Sequence, residues 1–230
     1  MEDNIKNIEQ YCGWFNEKVD FVSSVKDDDI IILICCSLID ALAKCIYCDE
    51  LDNNKRFINL LEKFGEARIW NRVSIYHLFN SKGYELIKQN KELDEYCMAK
   101  LSWVVDGEDI KCYDVDPIIC EVQKKCDELN FPNKQRYILR KYKYSTIFYE
   151  HYRCGLVHEA RITTEFSFDY CRKDIPYYAP YIDGNDNNVG KKHLIIPAKF
   201  VINSTKTIII AVKEWLTKNN INPYERYGLT

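Results

Sequence analysis

The residues that could do chemistry lie close together late in the chain. Two of the four histidines fall in the stretch Tyr149-Glu150-His151-Tyr152-Arg153-Cys154-Gly155-Leu156-Val157-His158-Glu159-Ala160-Arg161. Arg153 and His158 have the properties needed to cleave RNA without a metal. An imidazole titrates near neutrality, so His158 can act as general base towards a ribose 2′-hydroxyl or as general acid towards the leaving oxygen. A guanidinium stays charged, and its planar fork can clamp the scissile phosphate and the charge that develops on it. A continuous α-helix is an awkward platform for the pair. Five residues rotate the second side chain by about 140° and advance it by about 7.5 Å. Either Gly155 loosens the helix end, or a two-fold axis brings Arg153 and His158 of two copies into one cleft.

Several neighbours are candidates for supporting roles. Glu159 and Arg161 could orient the imidazole or hold adjacent phosphates, with plain surface charge as the alternative. Asp40 and Lys44, four apart on an early helix, could reach the cleft or form an intrahelical ion pair. His151 is a substrate contact or, more commonly for such a residue, packed. Upstream, Lys134, Arg136, Arg140, Lys141 and Lys143 occur within ten residues without an acid, interleaved with Tyr137, Tyr142 and Tyr144. On a helix Arg136, Arg140 and Lys143 share a face, which makes a local phosphate funnel with tyrosines for stacking on unpaired bases. The competing reading is structural, with Arg153 bonded to a helix-terminal carbonyl or Glu150 and His158 capping the same helix.

Other chemistries find no constellation. Cys45-x2-Cys48 is half of a zinc spacing without its second half. Cys35, Cys36, Cys120 and Cys126 sit at apolar helical positions, where cysteine behaves as a small hydrophobe. The Asp183 turn departs from a calcium loop, with Asn188 where glycine is required and Leu194 where the bidentate glutamate belongs. His77 and His193 read as hydrogen-bonded structural residues. No glycine-rich phosphate loop, Gly-x-Ser-x-Gly elbow or His-Glu-x-x-His motif occurs. No cofactor is expected.

The elements that must position these residues are mostly helical. Ile8, Tyr11, Cys12, Phe15, Val19 and Val22 form a stripe over about 4–25. Asp27-Asp28-Asp29 caps and charges the start of a helix over 30–47, apolar enough to be central. Asn53 or Asn54 opens a third, ended by Gly65. A helix is predicted over 92–103, a turn at Asp106-Gly107, and another helix after Asp116-Pro117, read as N-cap and first position. One more runs from Asn133 to about Gly155, with room for an interruption. Phe166, Phe168 and Tyr170 alternate with polar residues as a strand does, the turn cluster 183–188 follows, and His193 to Ile196 makes a second strand. Pro197 opens a last helix to about Asn219. The expected architecture is a single all-α domain over 1–230, a helical bundle with a small β-hairpin insertion (about 162–196) before the last helix.

Composition narrows the remaining classes. With 230 residues, 47% of them hydrophobic and 29% charged, the chain should fold around a real core. A net charge of -3 excludes whole-protein attraction to nucleic acid or acidic membranes, so an anion site must be a local patch. The run from Ile30 to Leu42 is too short for a membrane span. Eleven cysteines without a leader at Met1-Glu2-Asp3-Asn4 point to reduced thiols and a cytoplasmic protein with no membrane partner.

The Arg153-Cys154-Gly155-Leu156-Val157-His158 stretch resembles the Arg-x4-6-His motif of the HEPN superfamily of ribonucleases, carried near the end of a late helix. The Ser37-Leu38-Ile39-Asp40-Ala41-Leu42-Ala43-Lys44 segment looks like the second helix of such proteins. Arg56-Phe57-Ile58-Asn59-Leu60-Leu61-Glu62-Lys63-Phe64 and Trp70-Asn71-Arg72-Val73-Ser74 look like their next segment. The resemblance implies a HEPN-like helical bundle and a metal-independent endoribonuclease active as a homodimer, which leaves 2′,3′-cyclic phosphate and 5′-hydroxyl ends. Toxin or anti-phage roles, and with them a regulatory antitoxin or sensor protein as partner, are common in the superfamily. Its non-catalytic members are scaffolds that bind RNA or protein. Two departures stand out: Cys154 follows the motif arginine where Asn, Asp or His is usual, and Ala160 occupies the place of a tyrosine that a partner nucleotidyltransferase modifies in one branch.

Overall fold

The computed structural model describes residues 2–48, 50–105, 110–159, 173–180 and 192–227. It is mostly helical, with one small sheet. The early periodicities become α1 (Glu2–Val22), α2 (Asp28–Tyr47) and α3 (Asn53–Phe64), followed by the short α4 (Ala67–Trp70). The Asp27 carboxylate accepts from the Ile30 amide at 3.1 Å, and Asp28 and Asp29 place charge at the positive end of α2. By length and composition α2 could cross a membrane, but it packs at the centre of the bundle, with Ile32, Cys35, Cys36, Ile39, Leu42 and Cys45 fully buried. Gly65 ends α3 as expected. A Cβ there would lie 2.7 Å from the Leu61 carbonyl oxygen and 3.0 Å from the Trp70 ring, so only glycine admits this close approach.

The next stretch carries a second hydrophobic core that periodicity did not separate from the first. It contains α5 (Ile75–Phe79), α6 (Tyr84–Lys88), α7 (Lys91–Lys100), α8 (Ser102–Val105), α9 (Ile119–Glu128) and α10 (Tyr137–Lys141). Leu78, Tyr84, Ile87, Leu93, Val122, Phe131 and Leu139 pack together there, apart from the bundle core. The chain enters and leaves this insertion through a neck, where the Ser74 amide donates to the Tyr142 carbonyl at 2.8 Å and the Tyr144 amide to Arg72 at 2.9 Å. The helix after Asp116-Pro117 starts later than expected, at Ile119. Asp116 is not its cap, because the carboxylate turns inward and is buried. The predicted turn at Asp106-Gly107 lies outside the described residues.

The sheet has three strands rather than a lone hairpin. β1 (Lys111–Cys112), from the insertion, pairs antiparallel with β2 (Tyr177–Pro180), which pairs antiparallel with β3 (Lys192–Ile195). β2 escaped notice because Tyr177, Tyr178 and Ala179 are all buried, which removes the alternation that betrays a one-sided strand. The alternating Phe166–Tyr170 segment and the 183–188 turn lie outside the described residues.

The helix expected over 133–155, with room for an interruption, is interrupted. After α10 the chain is extended at Lys143, and α11 (Tyr144–Ile147) restarts it. The last helix, α12 (Ala198–Asn219), runs antiparallel to α1, as Lys206–Asp20 at 2.8 Å, Lys213–Glu9 at 3.6 Å and Asn4 to the Asn220 carbonyl at 3.2 Å show. Trp70 Nε1 donates to Ser204 Oγ at 2.7 Å and pins α4 beneath it.

Candidate functional site

The helix that carries the motif is wound more widely than an α-helix. From Phe148 to Arg153, and again from Gly155 to Glu159, it is a π-helix, and the Cys154 amide donates to the Tyr149 carbonyl five residues back. Such winding is rare and concentrates at functional sites. Tyr144, Ile147, Phe148, Tyr152 and Leu156 form the inward face of α11 and its continuation. The Tyr152 hydroxyl fixes this face to the sheet, since it donates to the Leu194 carbonyl and accepts from the Ile196 amide, both at 3.0 Å.

The wide winding changes the geometry of the motif. Where hydrogen bonds close over five residues, a side chain five positions on returns close to the azimuth of the first. Between Arg153 and His158 the winding is of this kind over Gly155–Glu159, with Cys154 in α-helical geometry. Arg153 turns towards α2, where Nε and Nη2 both donate to Asp40 Oδ2 at 3.1 and 3.0 Å. Its guanidinium lies 5.4 Å from the centre of the Tyr149 ring and its Nη1 is 4.0 Å from the Cys154 thiol. The side chain keeps 15% exposure and that of Asp40 30%, so the pair opens to solvent on one side. His158 and Glu159 are exposed. Lys44 follows Asp40 by one turn and is half-buried, and Arg161 lies outside the described residues.

Electrostatics hold the arginine in place. Burial pushes the Asp40 carboxyl above the usual carboxylate range, while Arg153, and more weakly Arg56, pull it down. Burial opposes the charge of Arg153, and Asp40 outweighs it, so the guanidinium pKa is raised. The arginine thus stays charged and oriented at the surface of a tightly packed helix pair.

The basic segment upstream is only partly available as a surface. Because the helix breaks at Lys143, the shared face of Arg136, Arg140 and Lys143 does not form. Lys143 is buried and ion-paired with Glu62, whose carboxylate also accepts from Ser145 Oγ at 2.5 Å. Arg136 braces the turn before α10, donating from Nε and Nη2 to the Phe131 carbonyl at 3.1 and 2.9 Å and pairing with Asp127. Lys134, Arg140 and Lys141 are exposed, and Lys141 Nζ lies 5.5 Å from the ring of the half-exposed Tyr137.

Sequence reasoning missed a second polar cluster. Asp116 is fully buried, and its carboxylate accepts from the Ile75 amide at 3.0 Å, from the Tyr144 hydroxyl at 2.8 Å and from the Tyr178 hydroxyl. The Tyr178 and Ser74 hydroxyl oxygens are 2.7 Å apart, and Ser74 Oγ lies 2.7 Å from His77 Nδ1. Burial, and more weakly the charges of His151 on the motif helix and His193 on β3, disfavour protonation of His77. The only sequence trace was Ser74-x-x-His77, which reads as a capped helix start, and Ser74 does accept from the His77 amide at 3.3 Å.

Cysteines and metal candidates fall out simply. Cys35, Cys36, Cys45 and Cys126 are buried thiols, Cys48 is half-buried, and Cys120, expected to pack, is exposed because the first turn of α9 turns that side outward. Among the described residues no group of three or more His, Cys, Asp or Glu side chains is placed to hold a metal ion. No protein-family model, curated protein or solved structure matches this chain.

Proposed function

We propose that this chain is a HEPN-like endoribonuclease that cuts RNA without a metal, with Arg153 as phosphate clamp and His158 as general acid or base. One observation carries the reading: on a π-wound helix one motif side chain is charged and braced by Asp40, and the other is open to solvent. Asp40 takes the Nε and Nη2 edge of the guanidinium, so the edge with Nη1 can meet a phosphate oxygen. Attack of the ribose 2′-hydroxyl on the adjacent phosphorus needs a base for that proton and an acid for the departing 5′-oxygen. One imidazole cannot serve both ends at once, and a second copy supplies the other.

The outer face of α2 supports such a pairing. Ile30 is 46% exposed, and Leu33, Ile34 and Ala41 are only partly covered. Val157, on the motif helix between the two site residues, is 43% exposed. A homodimer through these positions would set the two motif helices side by side. Lys134, Arg140, Lys141 and Tyr137 form the RNA-approach surface that remains once Arg136 and Lys143 are assigned to the fold. A non-catalytic scaffold is favoured by one observation, the Arg153–Asp40 pair, which gives the arginine a structural task of its own.

The test incubates the protein with mixed RNAs in excess EDTA and analyses the ends. Cleavage with 2′,3′-cyclic phosphate products supports the enzyme, and retention of RNA without cutting supports the scaffold. Light scattering that reports a strict monomer at micromolar concentration would remove the composite cleft.

A further inference from the structure

Two thiols at the end of α2 have opposite surroundings. Cys48 caps the helix with φ 47° and ψ -133°, a backbone conformation that residues other than glycine seldom adopt and that concentrates at functional sites. Three contacts hold it there. Its amide donates to the Lys44 carbonyl at 2.8 Å, its carbonyl accepts from Arg56 Nη1 at 2.6 Å, and its thiol accepts from Arg226 Nη1 at 3.1 Å. Arg226 makes that contact while its own Nε is buried without an acceptor. Cys48 is half-buried, whereas Cys45, one turn earlier, is fully buried. Tyr227 gives its proton to the Ala41 carbonyl at 2.7 Å, so the Tyr11 hydroxyl, 2.8 Å away, gives its own to the Tyr227 oxygen. The hydrogen bond between Tyr11 and Cys45 is then donated by the thiol, and burial pushes that thiol up to about 11.

We propose that Cys45 and Cys48 are a peroxide-reactive dithiol, in which Cys48 attacks the oxidant and Cys45 closes the disulfide. Reactive cysteines lie beside a cation and partly open to solvent, and of the two it is Cys48 that does so. Its sulfur attacks the hydroxyl-bearing oxygen of a hydroperoxide. The S–O bond forms, the O–O bond breaks, and the Cys48 proton leaves with the other oxygen as water or an alcohol. The Cys45 sulfur then attacks that of Cys48. The S–S bond forms, the S–O bond breaks, and the hydroxyl departs with the Cys45 proton as water. Two electrons have passed from the sulfurs to the peroxide, and no charge is left behind.

The spacing permits the bond. Positions three apart on a helix hold their Cβ atoms about 5–6 Å apart, and a disulfide needs about 3.5–4.5 Å. Cys48 lies past the last helical residue, where the chain can close that difference without unwinding α2. Oxidation removes the acceptor of Arg226 and the thiol bonded to Tyr11, which itself holds Tyr227, so it should loosen residues 221–227 from α1 and α2. Redox state is thereby linked to the docking of this segment, independently of ribonuclease activity.

Peptide mass spectrometry of the reduced full chain, treated briefly with hydrogen peroxide and quenched with iodoacetamide, tests it. Cys120 is exposed and serves as the comparison, since exposure alone would make it react first. The expected result is a Cys45–Cys48 disulfide that forms before Cys120 is oxidised. In Cys45→Ala the reaction should stop at a Cys48 sulfenic acid, trapped by dimedone. Arg226→Gln should slow oxidation of Cys48 about tenfold, the size of one lost charge-assisted hydrogen bond, with the rate at Cys120 unchanged as the sign of an intact fold. Arg226→Lys should restore most of the rate. Oxidation of Cys120 ahead of Cys48, a Cys48 that iodoacetamide does not reach in the native protein, or a rate indifferent to Arg226→Gln would overturn the proposal.

Discussion

Arg153 and Asp40, 113 positions apart, meet through two hydrogen bonds to one carboxylate oxygen, from Nε at 3.1 Å and Nη2 at 3.0 Å. The contact joins the motif helix to the central helix of the bundle and orients the guanidinium by one edge. Removing the carboxylate would leave a partly buried charge without its partner. Asp40→Ala should cost about 1–2 kcal/mol in urea unfolding, less than the 3–5 of a fully buried pair because both groups keep some solvent contact. Arg153→Lys should lose any cleavage as well, since an ammonium cannot serve Asp40 and a phosphate with a planar fork. Unchanged stability in Asp40→Ala would mean that the pair contributes no orientation.

Tyr152 offers a cleaner test of how the motif helix is held. Its hydroxyl is buried between the Leu194 carbonyl and the Ile196 amide. Tyr152→Phe keeps the ring and strands both backbone groups, so it should destabilise the protein by about 1–3 kcal/mol. Hydrogen exchange should rise at Ile196 first. If the variant melts like wild type, the sheet is not anchored to the motif helix through this hydroxyl.

The basic segment divides into two classes with opposite signatures. Lys143→Ala leaves the partly buried Glu62 carboxylate with Ser145 but without its cation and should lower stability by about 1.5–3 kcal/mol. Lys134→Ala, Arg140→Ala and Lys141→Ala remove exposed charges and should leave stability within about 0.5 kcal/mol. If they line the RNA path, each that contacts a phosphate should flatten the salt dependence of single-strand binding by about 0.7 in the log–log slope. Slopes equal to that of wild type in all three would remove RNA from that surface.

Acid should act on the buried cluster in two opposing ways. Burial lowers His77 from 6.5 to about 3, so its contribution is complete above 6.5 and is lost as pH falls towards 3. Burial raises Asp116 from 3.8 to about 6, so its contribution is complete below 3.8 and is lost as pH rises through 6. Stability curves from pH 7.5 to 3 should therefore separate the variants. His77→Gln should lose acid sensitivity, and Asp116→Asn should become more acid-sensitive than wild type between 6 and 4. A parallel shift of both curves would contradict these assignments.

Much of the bundle was legible because its helices obey ordinary periodicity. The stripe of α1, the acidic cap of α2 and the glycine stop of α3 each follow from local physics. What escaped depends on long-range partners. Asp116-Pro117 reads as a cap, yet the carboxylate finds Tyr144 and Tyr178, 28 and 62 positions away. Lys143 looked like one of a solvated row until Glu62, 81 positions away, took its charge. The motif pair was visible from its residue types, but the π-winding of the helix that carries it was not.

The most direct measurement is the rate of RNA cleavage in EDTA by wild type and by His158→Ala at matched concentration. His158 is exposed, so its loss should leave the unfolding midpoint in place. The account predicts cyclic-phosphate products from wild type and a fall in rate of about 10²–10⁴-fold in the variant. Cleavage at the wild-type rate by His158→Ala, or a folded wild type that cuts no RNA, would contradict it.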